Sequence, residues 1–386
     1  MNSWIREEIN NIRLSGLLRR TVPIAPGEPG KVIVGGKTLV DFASNDYLGL
    51  STRKELKGAS IKAVEEWGCS SRASRLMSGS MALFDLLEKR IAEFQGTEDA
   101  ICLGNGYLAN STIIPSLVGP GDVIFLDRYC HASIIDGVML SRAHFFRFSH
   151  NDATHLERLL KEKRVKYRRA LILVESLYSM DGDIAPLNLI MELKARYDAL
   201  LMVDEAHAIG VFGSRAEGLI PRHLQNKPEV MIGTFGKALG SYGAFAACTK
   251  EMKTFLLNRC RGFIFSTALP PGVIAANLKA IEMVAESEED RNKVLMLATQ
   301  LRSFIKDRLK KKTLGESHIV PLILDDIKQT VELERYLVEN GIFVRSIRPP
   351  TVPKNEPRIR FSVTANHTKS VIEKVNSLLK VFFSSS

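Results

Sequence analysis

The sequence predicts an α/β protein in which a mostly parallel sheet covered by helices is followed by a smaller α+β domain. Three observations carry this. From about residue 80 to 245, short apolar runs of strand length alternate with helical stretches. Beyond about residue 285 that alternation gives way to a long charged helix and shorter mixed elements. The residues with chemistry to offer fall just after the apolar runs, where parallel α/β sheets place their functional groups.

In chain order, residues 3–20 read as an amphipathic arm. Trp4, Ile5, Ile9, Ile12, Leu17 and Leu18 recur near helical spacing, with Arg13, Arg19 and Arg20 between them. Pro23, Pro26, Gly27 and Pro29-Gly30 end it, and two short strands follow around Lys31–Val34 and Leu39–Phe42. Ser44-Asn-Asp-Tyr-Leu-Gly-Leu50 is a polar turn leading into a helix. The strand-like runs of the central region are Ala100–Leu103, Val123–Leu126, Ala170–Val174, Leu200–Val203 and Ala244–Cys248, with helices such as Leu83–Phe94 and Leu187–Arg196 between them. A charged helix over Glu286–Lys312 precedes His318–Leu324, a second helix, strands at Ile342–Ile347 and Arg358–Val363, and a last helix from about Thr368. The expected division is an arm over 1–45, a large domain over 46–285 and a small domain over 286–386.

Composition narrows the class. The chain has 386 residues, 45% apolar and 25% charged, enough for two or three ordinary globular domains with a sizeable core. It contains no run of eighteen apolar residues, and its start reads as no signal peptide. Five cysteines lie far apart without metal-like spacing, as expected of reduced thiols in a cytoplasmic protein. The net charge of +10 is dispersed apart from Lys310–Lys312 and Lys161–Arg169, and aromatics do not alternate with the basic residues, Tyr167 standing alone in the second run. That argues against nucleic acid and suits a phosphate-bearing ligand or an acidic carrier.

The strand ends carry the chemistry. Ala100–Leu103 runs into Gly104-Asn-Gly-Tyr-Leu-Ala-Asn110, with Asp127 about twenty residues on. This imitates a dinucleotide fingerprint, and it also describes a helix N-terminus offering N–H groups to any phosphate. His131 follows the next strand and Glu175-Ser-Leu-Tyr-Ser179-Met-Asp-Gly182 another. Asp204-Glu-Ala-His207 ends a fourth, and a carboxylate there is costly unless it meets a cation. No second His, Asp or Glu pair completes a metal site, and no G-x-S-x-G elbow is present. Gly233-Thr-Phe-Gly-Lys237-Ala-Leu-Gly240 presents one lysine in a glycine-punctuated turn. Met231 and Ala238 exclude a P-loop, which leaves a surface lysine or an amine that binds a carbonyl. One cofactor uses a phosphate cradle, a histidine, an Asp-x-x-His pair and a lysine together: pyridoxal 5′-phosphate, whose ring nitrogen needs a buried carboxylate.

The chain resembles the α-oxoamine synthases, a branch of the fold type I pyridoxal-phosphate enzymes, which share the aspartate-aminotransferase-like fold. Ser44-Asn-Asp-Tyr-Leu-Gly-Leu, Asn105-Gly-Tyr, Asp127-x3-His-Ala-Ser, Ser179-Met-Asp-Gly-Asp, Asp204-Glu-Ala-His, Thr234-Phe-Gly-Lys and Phe265-Ser-Thr carry the resemblance, from the arm to about His367. It implies an enzyme joining an amino acid to an acyl thioester with loss of carbon dioxide. Lys237 would bind the cofactor aldehyde and move the Cα proton, Asp204 would pair with the ring nitrogen, and His131 would stack on the ring. His207 and Ser179 would serve the phenolic oxygen. Gly106, Tyr107 and Thr234 would hold the phosphate, joined by Ser266 or Thr267 of a second subunit in a homodimer. Arg360 would clamp the amino-acid carboxylate near Asn45, while Arg358 reads as a surface charge.

Ile347-Arg-Pro-Pro-Thr351-Val-Pro353 and Asp204–Val211 resemble the branch of the family that uses L-alanine and a pimeloyl thioester, on coenzyme A or acyl carrier protein. Thr351 is then a substrate residue, and Arg19 would meet the far carboxylate or the carrier phosphates. Two departures stand out. Gly68-Cys-Ser-Ser-Arg-Ala-Ser-Arg75 has serines and Ala73 where the family is glycine-rich, and Phe84 stands where histidine is common; both bear on the acyl tunnel. A member taking glycine with acetyl-CoA and a nicotinamide-dependent oxidoreductase remain alternatives.

Overall fold

The computed structural model describes residues 3–384. Two compact units divide them. One is Leu48–Ser179 with Ile184–Arg291; the other joins the residues up to Tyr47, the short stretch Met180–Asp183 and those from Asn292 onward.

The larger unit is built on a seven-stranded sheet in the order Asp99–Leu103, Ala244–Cys248, Val230–Thr234, Leu200–Asp204, Ala170–Glu175, Val123–Asp127 and His144–Phe148. Ala244–Cys248 runs antiparallel to both its neighbours, and every other pairing is parallel. Val123–Asp127 and Ala170–Glu175 are buried at every position. That is what a parallel strand covered on both faces requires, and it explains why these runs are continuously apolar instead of alternating. Ile101, Leu126, Leu171, Leu173, Met202 and Ile232 join Ile113, Ile134 and Val138 of the covering helices in one core. The edge strand His144–Phe148 escapes the sequence reading because its His-Phe-Phe-Arg-Phe run is half exposed.

The smaller unit has a four-stranded sheet (Ala25–Pro26, Lys31–Val34, Lys37–Asp41, Ile342–Phe343) and a three-stranded antiparallel one (Ile319–Ile323, Arg358–Ser362, Ser346–Ile347). The strand expected over Ile342–Ile347 is therefore two short strands serving different sheets. The charged helix is Glu288–Ser303, followed by a wider π turn over Phe304–Arg308. Phe42, Leu297, Leu322, Leu333, Phe361 and Val375 are among its core residues. The arm is helical over Ser3–Leu14 and buries none of its residues; Leu17 and Leu18 lie beyond the helix. No helix among the described residues is long and apolar enough to cross a membrane.

Candidate active site

In the larger unit the site grows from the carboxyl ends of adjacent parallel strands. Asp204 closes the Leu200–Asp204 strand and is buried. Its carboxylate accepts from Asn110 Nδ2 at 2.7 Å and from the Ala206 N–H at 2.9 Å. Asn110 Nδ2 also donates to Ser133 Oγ at 2.9 Å, while the buried Asn110 Oδ1 has no partner. Ser133 Oγ is in turn 2.8 Å from His131 Nδ1, and His131 caps the helix Ala132–Ser141 by accepting from the Ser133 N–H. One polar chain thus runs from Asp204 through Asn110 and Ser133 to His131.

Glu175, at the end of the neighbouring strand, accepts from the His131 N–H at 2.6 Å. Burial pushes its carboxyl well above the usual carboxylate range, Asp204 adds to the rise, and Lys237 opposes it. Burial lowers the His131 pKa; Asp204 raises it and Lys237 lowers it further. His131, Glu175, Asp204 and Lys237 therefore share one electrostatic neighbourhood. Glu205, next in sequence, is pushed up to about 7 by burial and holds the N–H groups of Leu219 and Ile220. His207 is buried three residues after Asp204, and Ser179 is buried in the segment after the Glu175 strand.

The Lys237 turn is closed by backbone bonds: Phe235 N donates to Gly243 O, Ser241 N to Phe235 O and Gly240 N to Lys237 O. Gly240 has φ 62°, and a Cβ there would lie 2.4 Å from Ser51 N, so the turn packs on the backbone that ends the Ser44–Leu50 motif. Thr234, the last residue of its strand, donates its hydroxyl to Gly243 O and accepts from the Gly236 N–H.

Asn105 caps the helix Gly106–Leu117 by accepting from the Leu108 N–H at 2.8 Å. Gly106 and Tyr107 occupy its first turn, where N–H groups lack helical partners and the dipole favours an anion. A Cβ at Gly106 would meet nothing within 4 Å, so the space beside this first-turn residue is open. The Tyr107 ring stands edge-on to His131 at 6.4 Å and its hydroxyl donates to Asp136. Ser266 and Thr267 lie elsewhere in this unit, where Thr267 pairs with Ser74.

In the smaller unit, one Arg360 Nη donates to Asn45 Oδ1 at 3.1 Å and Tyr47 Oη at 3.0 Å, and Tyr47 Oη donates to Asn45 Oδ1. Arg360 Nε is buried without a partner, an orphan donor suited to a carboxylate. Arg358 corrects the sequence reading. It is no surface charge but a fully buried side chain, paired with Asp181 and with Glu356. Strand alternation put it on the face of Arg360, but could not show that Met180–Asp183 covers that position. Arg19 Nη2 donates to Pro349 O at 3.4 Å, which brings the arm to the Arg348–Thr351 turn; Arg19 and Thr351 are both exposed.

The residues present fit pyridoxal 5′-phosphate. A carboxylate can accept about four hydrogen bonds, and buried Asp204 accepts one from Asn110 and one from Ala206, leaving capacity for a protonated ring nitrogen. The helix terminus suits a phosphate and Lys237 supplies an amine. Three residues lacked an assigned part in the sequence reading. Asn110 lies one turn beyond Gly106, and an asparagine inside an apolar helix was its only signal. Glu175 and Tyr47 lay within motifs, but their partners become visible only in three dimensions.

Comparison with known proteins places the chain. It belongs to the aminotransferase class I and II family, which matches residues 37–378. Among curated relatives, the 8-amino-7-oxononanoate synthase of Pelobacter propionicus is 44% identical over 375 residues, covering 95% of each chain. Among solved structures, serine palmitoyltransferase of Sphingomonas wittichii superposes with a TM-score of 0.92 at 29% identity, over all of this chain and 97% of that one. The 8-amino-7-oxononanoate synthase of Francisella tularensis does so with 0.77 at 27% identity, over 90% and 97%. The expected fold type I architecture is the one observed.

Proposed function

We propose that this enzyme condenses L-alanine with a pimeloyl thioester to give 8-amino-7-oxononanoate, carbon dioxide and the free thiol, a step of biotin biosynthesis. The observation that carries the reading is the 44% identity across 95% of both chains with an 8-amino-7-oxononanoate synthase. The site supplies what the chemistry needs. Bound pyridoxal 5′-phosphate would contribute an electron sink for the amino acid's Cα.

The chain's own residues do the rest. Asp204, steadied by Asn110, would hold a proton at the ring nitrogen. His131 would cover the ring face, and Ser179 and His207 would serve the phenolic oxygen. Gly106, Tyr107 and Thr234 hold the phosphate, with Ser266 or Thr267 reaching it from a second copy in a homodimer. Lys237 would hold the cofactor through its amine and, when that amine is free, would take the proton from alanine Cα and later return one. Arg360, oriented by Asn45 and Tyr47, takes the amino-acid carboxylate. A bond forms between alanine Cα and the acyl carbon as the C–S bond breaks and the thiol leaves. Cleavage of the carboxyl bond follows. Arg19 and Thr351 receive the far end of the acyl group or the phosphates of its carrier, coenzyme A or acyl carrier protein. The place of action is the cytoplasm.

Donor preference tests this. The expected order of kcat/KM with pimeloyl-CoA is alanine well above glycine and serine. A preference for glycine with acetyl-CoA would move the protein to another branch of the family.

A further inference from the structure

The stretch Gly68–Arg75 and Phe84 meet at one side chain, Arg75. Arg75 lies between two grips on the turn that carries Ser266 and Thr267. On one side, Ser74 pairs with Thr267, the Ala268 N–H donates to Ala73 O at 3.0 Å, and the buried Ser71 hydroxyl donates to Ala268 O at 2.7 Å. On the other, the Arg75 guanidinium lies 5.5 Å from the ring centre of Phe263, in the short helix Arg261–Ile264 that leads into the turn.

Arg75 is itself fixed from below. Its guanidinium stacks 3.8 Å over the ring of Phe84, which is fully buried. It forms a buried pair with Glu88 at 2.8 Å, and its Nε donates to Ser80 Oγ at 3.0 Å. Glu88 has a second cation in Lys253 at 3.0 Å and accepts from the Cys102 N–H on the first strand of the sheet. Gly79 closes the loop: a Cβ there would fall 2.1 Å from Ala73 O, so only glycine lets the two backbones touch. Arg72 is held in the left-handed region at φ 67°, its N–H donating to Ser70 Oγ. A loop fastened this closely to sheet, helix and turn has little freedom of its own.

We infer that Arg75 is a positioning residue for the cofactor phosphate, fixing through the Ser71–Ser74 strip and Phe263 the turn that presents Ser266 and Thr267. The inference rests on the reading that Ser266 or Thr267 reaches the phosphate held by a second copy of the chain. Phe84 then has a part that a histidine would fill less well, because a neutral hydrocarbon ring carries the guanidinium without competing for Glu88.

The test is pyridoxal 5′-phosphate affinity of the apoprotein, by equilibrium dialysis, beside its melting temperature. Lys253 remains to pair Glu88 when Arg75 is removed, so Arg75→Gln is expected to fold. It should raise the Kd for the cofactor about tenfold, and Ser71→Ala by about threefold, with turnover recovering at saturating cofactor. Arg75→Lys, which restores the charge without the stacking plane, should recover part of the affinity. A wild-type Kd in Arg75→Gln with only a lowered melting temperature would overturn the inference. Should that variant not fold, a wild-type Kd in both Ser71→Ala and Phe84→Leu overturns it equally. An unchanged Kd in the double variant Ser266→Ala, Thr267→Val would instead remove the phosphate reading on which it rests.

Discussion

Glu175 and Asp204 are register partners at the carboxyl ends of neighbouring parallel strands, two buried carboxyls side by side. Burial and the neighbouring Asp204 push Glu175 well above the usual carboxylate range. Glu175 acts as the acceptor that holds the His131 backbone N–H. Glu175→Gln preserves that acceptor and should retain turnover within about threefold, whereas Glu175→Ala strands the His131 N–H and should cost roughly tenfold. Equal losses in steady-state rates would show that the charge on Glu175 matters.

Asn110, from inside the Gly106–Leu117 helix, donates to the Asp204 carboxylate at 2.7 Å. Asn110→Ala should weaken cofactor binding about tenfold through loss of a charge-assisted hydrogen bond. Fluorescence titration of the apoprotein measures this. Wild-type affinity would mean that Asp204 needs no support from the helix.

Arg358 and Asp181 form a buried pair. Removing one partner leaves an uncompensated buried charge, so Arg358→Ala should lower unfolding free energy by about 3–5 kcal/mol. Urea denaturation reads it directly. A loss below about 1 kcal/mol, the range of exposed pairs, would contradict the burial argument.

His367 accepts from the Thr364 N–H through Nδ1 and lies 3.1 Å from Asp41 O through Nε2, an arrangement that suits the neutral ring. Burial lowers its pKa from 6.5 to about 4. A folded pKa below the unfolded one means stability fully present above pH 6.5 and lost as pH falls toward 4. The loss approaches about 3 kcal/mol. Unfolding measured at pH 7 and pH 4 should show a smaller loss for His367→Gln; identical losses would exclude His367 as the cause.

Much of this was legible in the sequence because strand ends in a parallel sheet are marked by an apolar run that stops at a polar residue. Asp204, Thr234 and Lys237 follow that rule, and so does Glu175, although its partner did not show. Arg358 was misread for a definite reason: period-two alternation assigns a face, but burial of that face depends on a four-residue stretch almost 180 positions earlier. The edge strand His144–Phe148 and the split of Ile342–Ile347 were hidden likewise, since exposure at an edge and division between sheets are tertiary facts. Asn110 gave only the weak signal of a poor helix former in a helix.

The central claim is most directly tested by the mass of the product formed from L-alanine and pimeloyl-CoA by the holoenzyme and by Lys237→Ala. The account predicts 8-amino-7-oxononanoate with carbon dioxide and free thiol from the wild type, and none above background from the variant. Full condensing activity in Lys237→Ala, or no such product from the wild type with either coenzyme A or acyl carrier protein as carrier, would contradict it.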